Sequence, residues 1–124
     1  MNVKVIKSGS LETNTYIVSI GSNCLVIDPA FAFDEIDDYV ATNNFKMLGI
    51  LLTHGHFDHI DSSEALAKKY SCKIYININD VELLLNPINN GSSKFLKRDI
   101  IIKKEVRYSR TSFLFSEIFE RLIF

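Results

Sequence analysis

A layered α/β domain, with a mixed sheet and flanking helices, is what this sequence predicts, and three observations predict it. Short β-rich runs alternate with amphipathic stretches from Val3 to Leu85. One run, Leu48-Gly49-Ile50-Leu51-Leu52, is continuously apolar and short, the pattern of a strand buried on both faces. Two earlier runs, Tyr16 to Ile20 and Cys24 to Ile27, are joined by Gly21-Ser22-Asn23 and read as a hairpin, so the sheet is mixed rather than purely parallel.

Each element follows in order. Val3 to Ile6 alternates loosely and reads as a first strand. The second strand of the hairpin ends at Asp28-Pro29, where proline closes it. Ile36, Tyr39 and Val40 then fall at helical spacing, and Asp34 is the expected cap of that short helix. The apolar run ending at Leu52 leads directly into Thr53-His54-Gly55-His56-Phe57-Asp58-His59. A second helix is expected from about Asp61, because Asp61 and Glu64 have capping-box spacing and Leu66 and Tyr70 supply an inner face. Lys73 to Ile76 is a further strand, and Asp80 to Leu85 a short helix.

Size and charge bound what the chain does. Its 124 residues carry 14 basic and 15 acidic side chains, a formal net charge of -1, which argues for one domain and against a general nucleic-acid binder. No run approaches the roughly 18 apolar residues of a membrane span. Met1-Asn2-Val3-Lys4-Val5 has no apolar signal core, and Cys24 and Cys72 have strand-like flanks. Both points lead to the expectation of a cytoplasmic protein with two reduced, buried thiols.

All three histidines of the chain lie within six residues, with an aspartate beside the last. The spacing His54-x-His56-x-Asp58-His59 is not that of a helical pair, whereas side chains at i and i+2 on an extended segment project from one side. Imidazole and carboxylate are the ligands divalent ions such as Zn²⁺ accept, with Fe and Mn also able to occupy them. The cluster follows the carboxyl end of a buried strand, where open α/β sheets place their sites. Gly55 is expected to let the backbone turn between ligands without a side chain in the way. The residues therefore predict a metal loop.

The segment Thr53-His54-Gly55-His56-Phe57-Asp58-His59 resembles the metal-binding signature of the metallo-β-lactamase superfamily. Thr13-Asn14-Thr15-Tyr16-Ile17-Val18, Leu25-Val26-Ile27-Asp28-Pro29-Ala30 and Asn86-Pro87-Ile88-Asn89-Asn90-Gly91-Ser92 look like segments of its glyoxalase II-like branch. The resemblance implies the N-terminal half of an αββα sandwich, with residues 2–95 family-like and 99–124 a divergent tail within a single, partial domain 1–124. It implies a first metal on His54 and His56 and a second on Asp58 and His59, one or two zinc ions in all. Asp28 would support the loop from beneath, although an ordinary strand-ending Asp-Pro turn explains it equally well. The implied chemistry is hydrolysis of a small acyl or thioester substrate by water activated on the metals, with Asp58 also taking a proton.

The resemblance also marks what is missing. Family members carry further ligands in a second half, including two more histidines and a bridging aspartate, and this chain has no histidine after His59. Asp80, Asp99, Glu105, Glu117 and Cys72 are ligand-type residues, but spacing selects none of them. A non-catalytic remnant or interaction fragment that keeps the metal loop is thus the alternative to a hydrolase. In the tail, Phe115, Ile118, Phe119 and Leu122 form an apolar helical stripe with Ser112 as its cap. That stripe is expected either to cover the sheet or to pair two chains, so a homodimer stays open. The polar face is not basic, which argues against a membrane surface.

Overall fold

The computed structural model describes residues 1–109 and Glu120. Six strands form one sheet in sequence order: β1 (Asn2–Ser8), β2 (Thr13–Ile20), β3 (Asn23–Ile27), β4 (Lys46–Leu51), β5 (Lys73–Asn77) and β6 (Val106–Ser109). The first three are antiparallel and the last three pairings are parallel, so the sheet is mixed as the hairpin predicts. The parallel pairings need crossovers, supplied by α1 (Phe33–Thr42) and then by α2 (Phe57–Ile60) and α3 (Ser63–Tyr70). A 3₁₀ turn at Ile78–Asp80, α4 (Val81–Leu85) and α5 (Ser92–Phe95) lie between β5 and β6.

Strand register explains the core. Ile17, Val26, Ile50, Ile74 and Val106 are directly opposite one another across five strands, so their side chains form one row on one face. Ile36 and Val40 of α1 and Leu66 and Ala67 of α3 pack on that row. The neighbouring row, Ile27, Leu51 and Tyr75, points to the other face and joins Leu25 in a second, smaller cluster. Ile50 and Leu51 are adjacent on β4 and both wholly buried. The short apolar run thus reports a strand covered on both faces.

Three local expectations differ from the structure. Helix α1 begins one residue before Asp34, with Ala32 at the N-cap position and no side-chain cap bond. Asp34 and Glu35 instead occupy its first turn, where their charge complements the helix dipole. Helical backbone likewise starts at Phe57, ahead of Asp61, then breaks and resumes at Ser63. The Asp61 carboxylate does not cap; it accepts from Arg98 Nη2 at 2.6 Å. Strand β6 arises in the basic stretch, where only Val106 contributes to the core and Arg107 and Tyr108 face outward. The Phe-rich helix and its cap at Ser112 lie outside the described residues.

Cys24 and Cys72 are free and buried, in line with the expectation. Burial, with a smaller contribution from the Cys72 thiol, pushes Cys24 up from an ordinary 9.0 to about 12. Burial likewise pushes Cys72 up to about 11, aided by the Glu105 carboxylate. The unfolded chain releases these protons near pH 9 and the folded chain does not. Their contribution to stability is therefore complete below pH 9 and lost as pH rises toward 12. The urea midpoint should fall between about pH 8 and about pH 10, and native thiols should alkylate far more slowly than unfolded ones.

Candidate metal centre

The metal loop grows out of the end of β4, beneath a strap made by Asp28-Pro29-Ala30. Asp28 and Ala30 both have left-handed backbone, at φ 51° and 54°. Asp tolerates that region better than Ala does. Hydrogen bonds hold the strap there: Asp28 N–H donates to Leu51 O at 2.9 Å and Ala30 N–H to His59 O at 3.0 Å. Ala30 O in turn accepts from Ser62 N–H at 2.8 Å, so the strap grips both ends of the break between α2 and α3. Asp28 thus does both things the sequence left open: it ends the strand and it enters the site.

Its carboxylate is 4% exposed as a residue and fully engaged. Oδ1 accepts from Thr53 N–H at 2.8 Å, and Oδ2 accepts from Thr53 Oγ1 and faces His59 Nδ1 at 3.0 Å. Thr53 Oγ1 also lies 3.0 Å from His54 Nδ1. The threonine gives its one proton to Asp28, so toward His54 it can only accept. Nδ1–H is therefore the proton-bearing side of both His54 and His59, and the Nε2 lone pair of each is free for a metal.

The rings themselves converge. His54 is 4.7 Å from His56 and 4.1 Å from His59 between ring centroids. Ligand atoms of Asp28, His54 and His59 all lie within 4.8 Å of one another. His59 Nε2 is 3.4 Å from Asp58 Oδ2, an oxygen that also accepts from Thr13 Oγ1 at 2.8 Å. Burial pushes the His54 imidazole below its ordinary value, and its neighbours His59 and His56 push the same way. A neutral imidazole is the form that binds a cation. This donor set of imidazoles and carboxylates fits a divalent transition metal.

Of the five residues singled out in the sequence, Asp28, His54 and His59 bring ligand atoms together, while His56 touches the group through the His54 ring and Asp58 through His59 Nε2. Thr53 and Thr13, which orient ligand side chains, were not singled out; their only signal is adjacency to the loop and a place on β2. Of the other ligand-type residues, Glu105 pairs with Lys73 and Cys72 lies in the core. Glu117 lies outside the described residues. Gly55 keeps a side chain out of the way, as expected, but for a close approach rather than a positive φ. It does not adopt left-handed backbone, but a Cβ there would lie 2.6 Å from Leu83 Cβ on α4. Close approach of the loop to α4, not freedom to turn, requires glycine.

A six-stranded mixed sheet thus carries a histidine- and aspartate-bearing loop after its buried strand β4. The sequence matches the metallo-beta-lactamase superfamily over residues 9–121, and the chain belongs to that superfamily. It is 32% identical over 84 residues to a probable metallo-hydrolase, YqgX, of Bacillus subtilis, covering 68% of this chain and 40% of that relative. It is 30% identical over 69 residues to a probable polyketide biosynthesis zinc-dependent hydrolase, BaeB, of Bacillus velezensis, covering 54% of this chain and 31% of that protein. The crystal structure of the BLEG-1 B3 metallo-beta-lactamase superposes with a TM-score of 0.81 at 28% identity, over 90% of this chain and 54% of that one. The chain therefore spans about half the length, or less, of these relatives. Among the described residues, no helix is long and apolar enough to cross a membrane.

Proposed function

We propose that the chain carries the metal loop of a hydrolase acting on a small acyl substrate, with a thioester as the substrate class, as in the glyoxalase II-like branch. The observation that carries this reading is the convergence of three imidazole rings, two of which, His54 and His59, have their Nδ1 engaged by Thr53 and Asp28. His54, His56, Asp58 and His59 would hold one or two zinc ions, and the zinc-dependent relative BaeB supports zinc over iron or manganese. Zinc bound there would acidify water and polarise an acyl carbonyl. Asp28 orients His59 directly and His54 through Thr53. Asp58, which accepts a hydrogen bond from Thr13, would take the proton from water in this reading.

Zinc-loaded chain should hold about one to two equivalents of metal and hydrolyse a small acyl thioester. His56→Ala should lose both. Metal below about 0.2 equivalents after loading would reject the hydrolase and leave the non-catalytic reading. The presence of only three histidines in the chain favours that second reading. Unchanged hydrolysis in the His56 variant would place the chemistry elsewhere.

A further inference from the structure

The segment between α4 and α5 is tied into the fold more firmly than a connection requires. Asn90 is 1% exposed, its amide donates to Leu83 O at 2.8 Å and Ile100 O at 3.0 Å, and its Oδ1 accepts from Ser92 N–H at 2.9 Å. Ser92 Oγ accepts from Ile100 N–H at 2.9 Å. Asn90 O accepts from Phe57 N–H at 2.9 Å, which joins the segment to the metal loop between His56 and Asp58. Gly91, at φ 88°, lets the chain pass Phe57, where a Cβ would come within 3.0 Å of that ring. Phe95 then stacks on Phe57, with ring centroids 5.2 Å apart and planes 16° apart.

This scaffold delivers Lys94 to the rim of a pocket of about 350 Å³ that His56 and Asp58 also line. The Lys94 ammonium lies 5.4 Å from the centre of the Phe95 ring. Among the described residues no carboxylate pairs with Lys94, a trait it shares with other surface lysines; its place on the pocket rim sets it apart. The one acidic side chain that lines the pocket, Asp58, already accepts from Thr13. A cation with no carboxylate partner thus lines a cavity of substrate size together with two residues of the metal loop.

We propose that Lys94 determines specificity at this site by binding a carboxylate that the substrate carries close to its scissile acyl bond. The proposal rests on the hydrolase reading above. An exposed ion pair contributes modestly, so the preference should be a few-fold rather than absolute.

The test compares S-acetylthioglycolate, which is anionic, with its neutral methyl ester, in NMR titrations of the zinc-loaded chain at low salt. Wild type should bind the anion about three to five times more tightly than the ester. Lys94→Glu should abolish that preference and Lys94→Arg should retain it. Where turnover is measured, Lys94→Ala should raise KM for the anion, leave kcat within about twofold, and leave the ester unchanged. Equal affinities for the two probes in wild type, or an unchanged preference in Lys94→Glu, would overturn the proposal. Charge-selective binding without turnover would uphold Lys94 and defeat the hydrolase reading, while turnover without charge preference would do the reverse.

Discussion

Asp28→Ala should weaken zinc binding about ten- to a hundredfold and destabilise the chain by about 3 kcal/mol. The carboxylate serves three polar groups at once: Thr53 N–H, Thr53 Oγ1 and His59 Nδ1. Removing it leaves the Thr53 N–H without its carboxylate partner. It also frees both His59 and, through Thr53, His54 to take the other tautomer. Alanine is additionally disfavoured at the left-handed backbone that residue 28 adopts. Asp28→Asn separates these effects. Asparagine tolerates the backbone and can still accept one hydrogen bond, so most stability should survive. Its amide nitrogen accepts from neither Thr53 Oγ1 nor His59 Nδ1, so zinc affinity should still fall. Thr53→Val should lie between, because it removes the relay to His54 and leaves the direct bond to His59. Chelator competition gives the affinities and urea unfolding the stabilities. Wild-type affinity in Asp28→Asn would show that the carboxylate does not select the tautomers.

The legible part of this site was its chemistry, and the illegible part its support. Three imidazoles and a carboxylate in six residues announce a metal loop, because few other needs bring those side chains so close. The continuous apolar run before them announces a strand covered on both faces, and Ile50 and Leu51 show why: neighbours in sequence, they serve opposite clusters. Thr53 and Thr13 were not legible, because a threonine at a strand end is ordinary until the fold brings Asp28 and Asp58 to it. The helix starts failed for a related reason. Asp34 and Asp61 have the right residue type for caps, but chain direction there is set from outside, by the strap at Ala30 and the ion pair to Arg98. Strand β6 hid because an edge strand of four residues with a single inward side chain carries almost no period-two signal.

Gly55→Ala should destabilise the chain by about 1–3 kcal/mol and weaken zinc binding, although residue 55 is no ligand. The new Cβ would sit 2.6 Å from Leu83 Cβ and 3.3 Å from Asp80 O. Neither neighbour can rotate away, since one is fixed to the backbone of α4 and the other is backbone. The loop must therefore lift, and it carries His54 and His56 on either side of the substituted residue. Partner substitutions distinguish this contact from a general loss of loop flexibility. Leu83→Ala keeps the offending Cβ, so Gly55→Ala/Leu83→Ala should bind zinc no better than Gly55→Ala. Leu83→Gly removes it, so Gly55→Ala/Leu83→Gly should regain zinc affinity, even though glycine in α4 itself costs about 1 kcal/mol. The coupling between the two positions, read from the double-mutant cycle, should be favourable only for the glycine partner. Recovery with Leu83→Ala as well would mean that the leucine's outer atoms, and not the approach of two backbones, demand glycine in the metal loop.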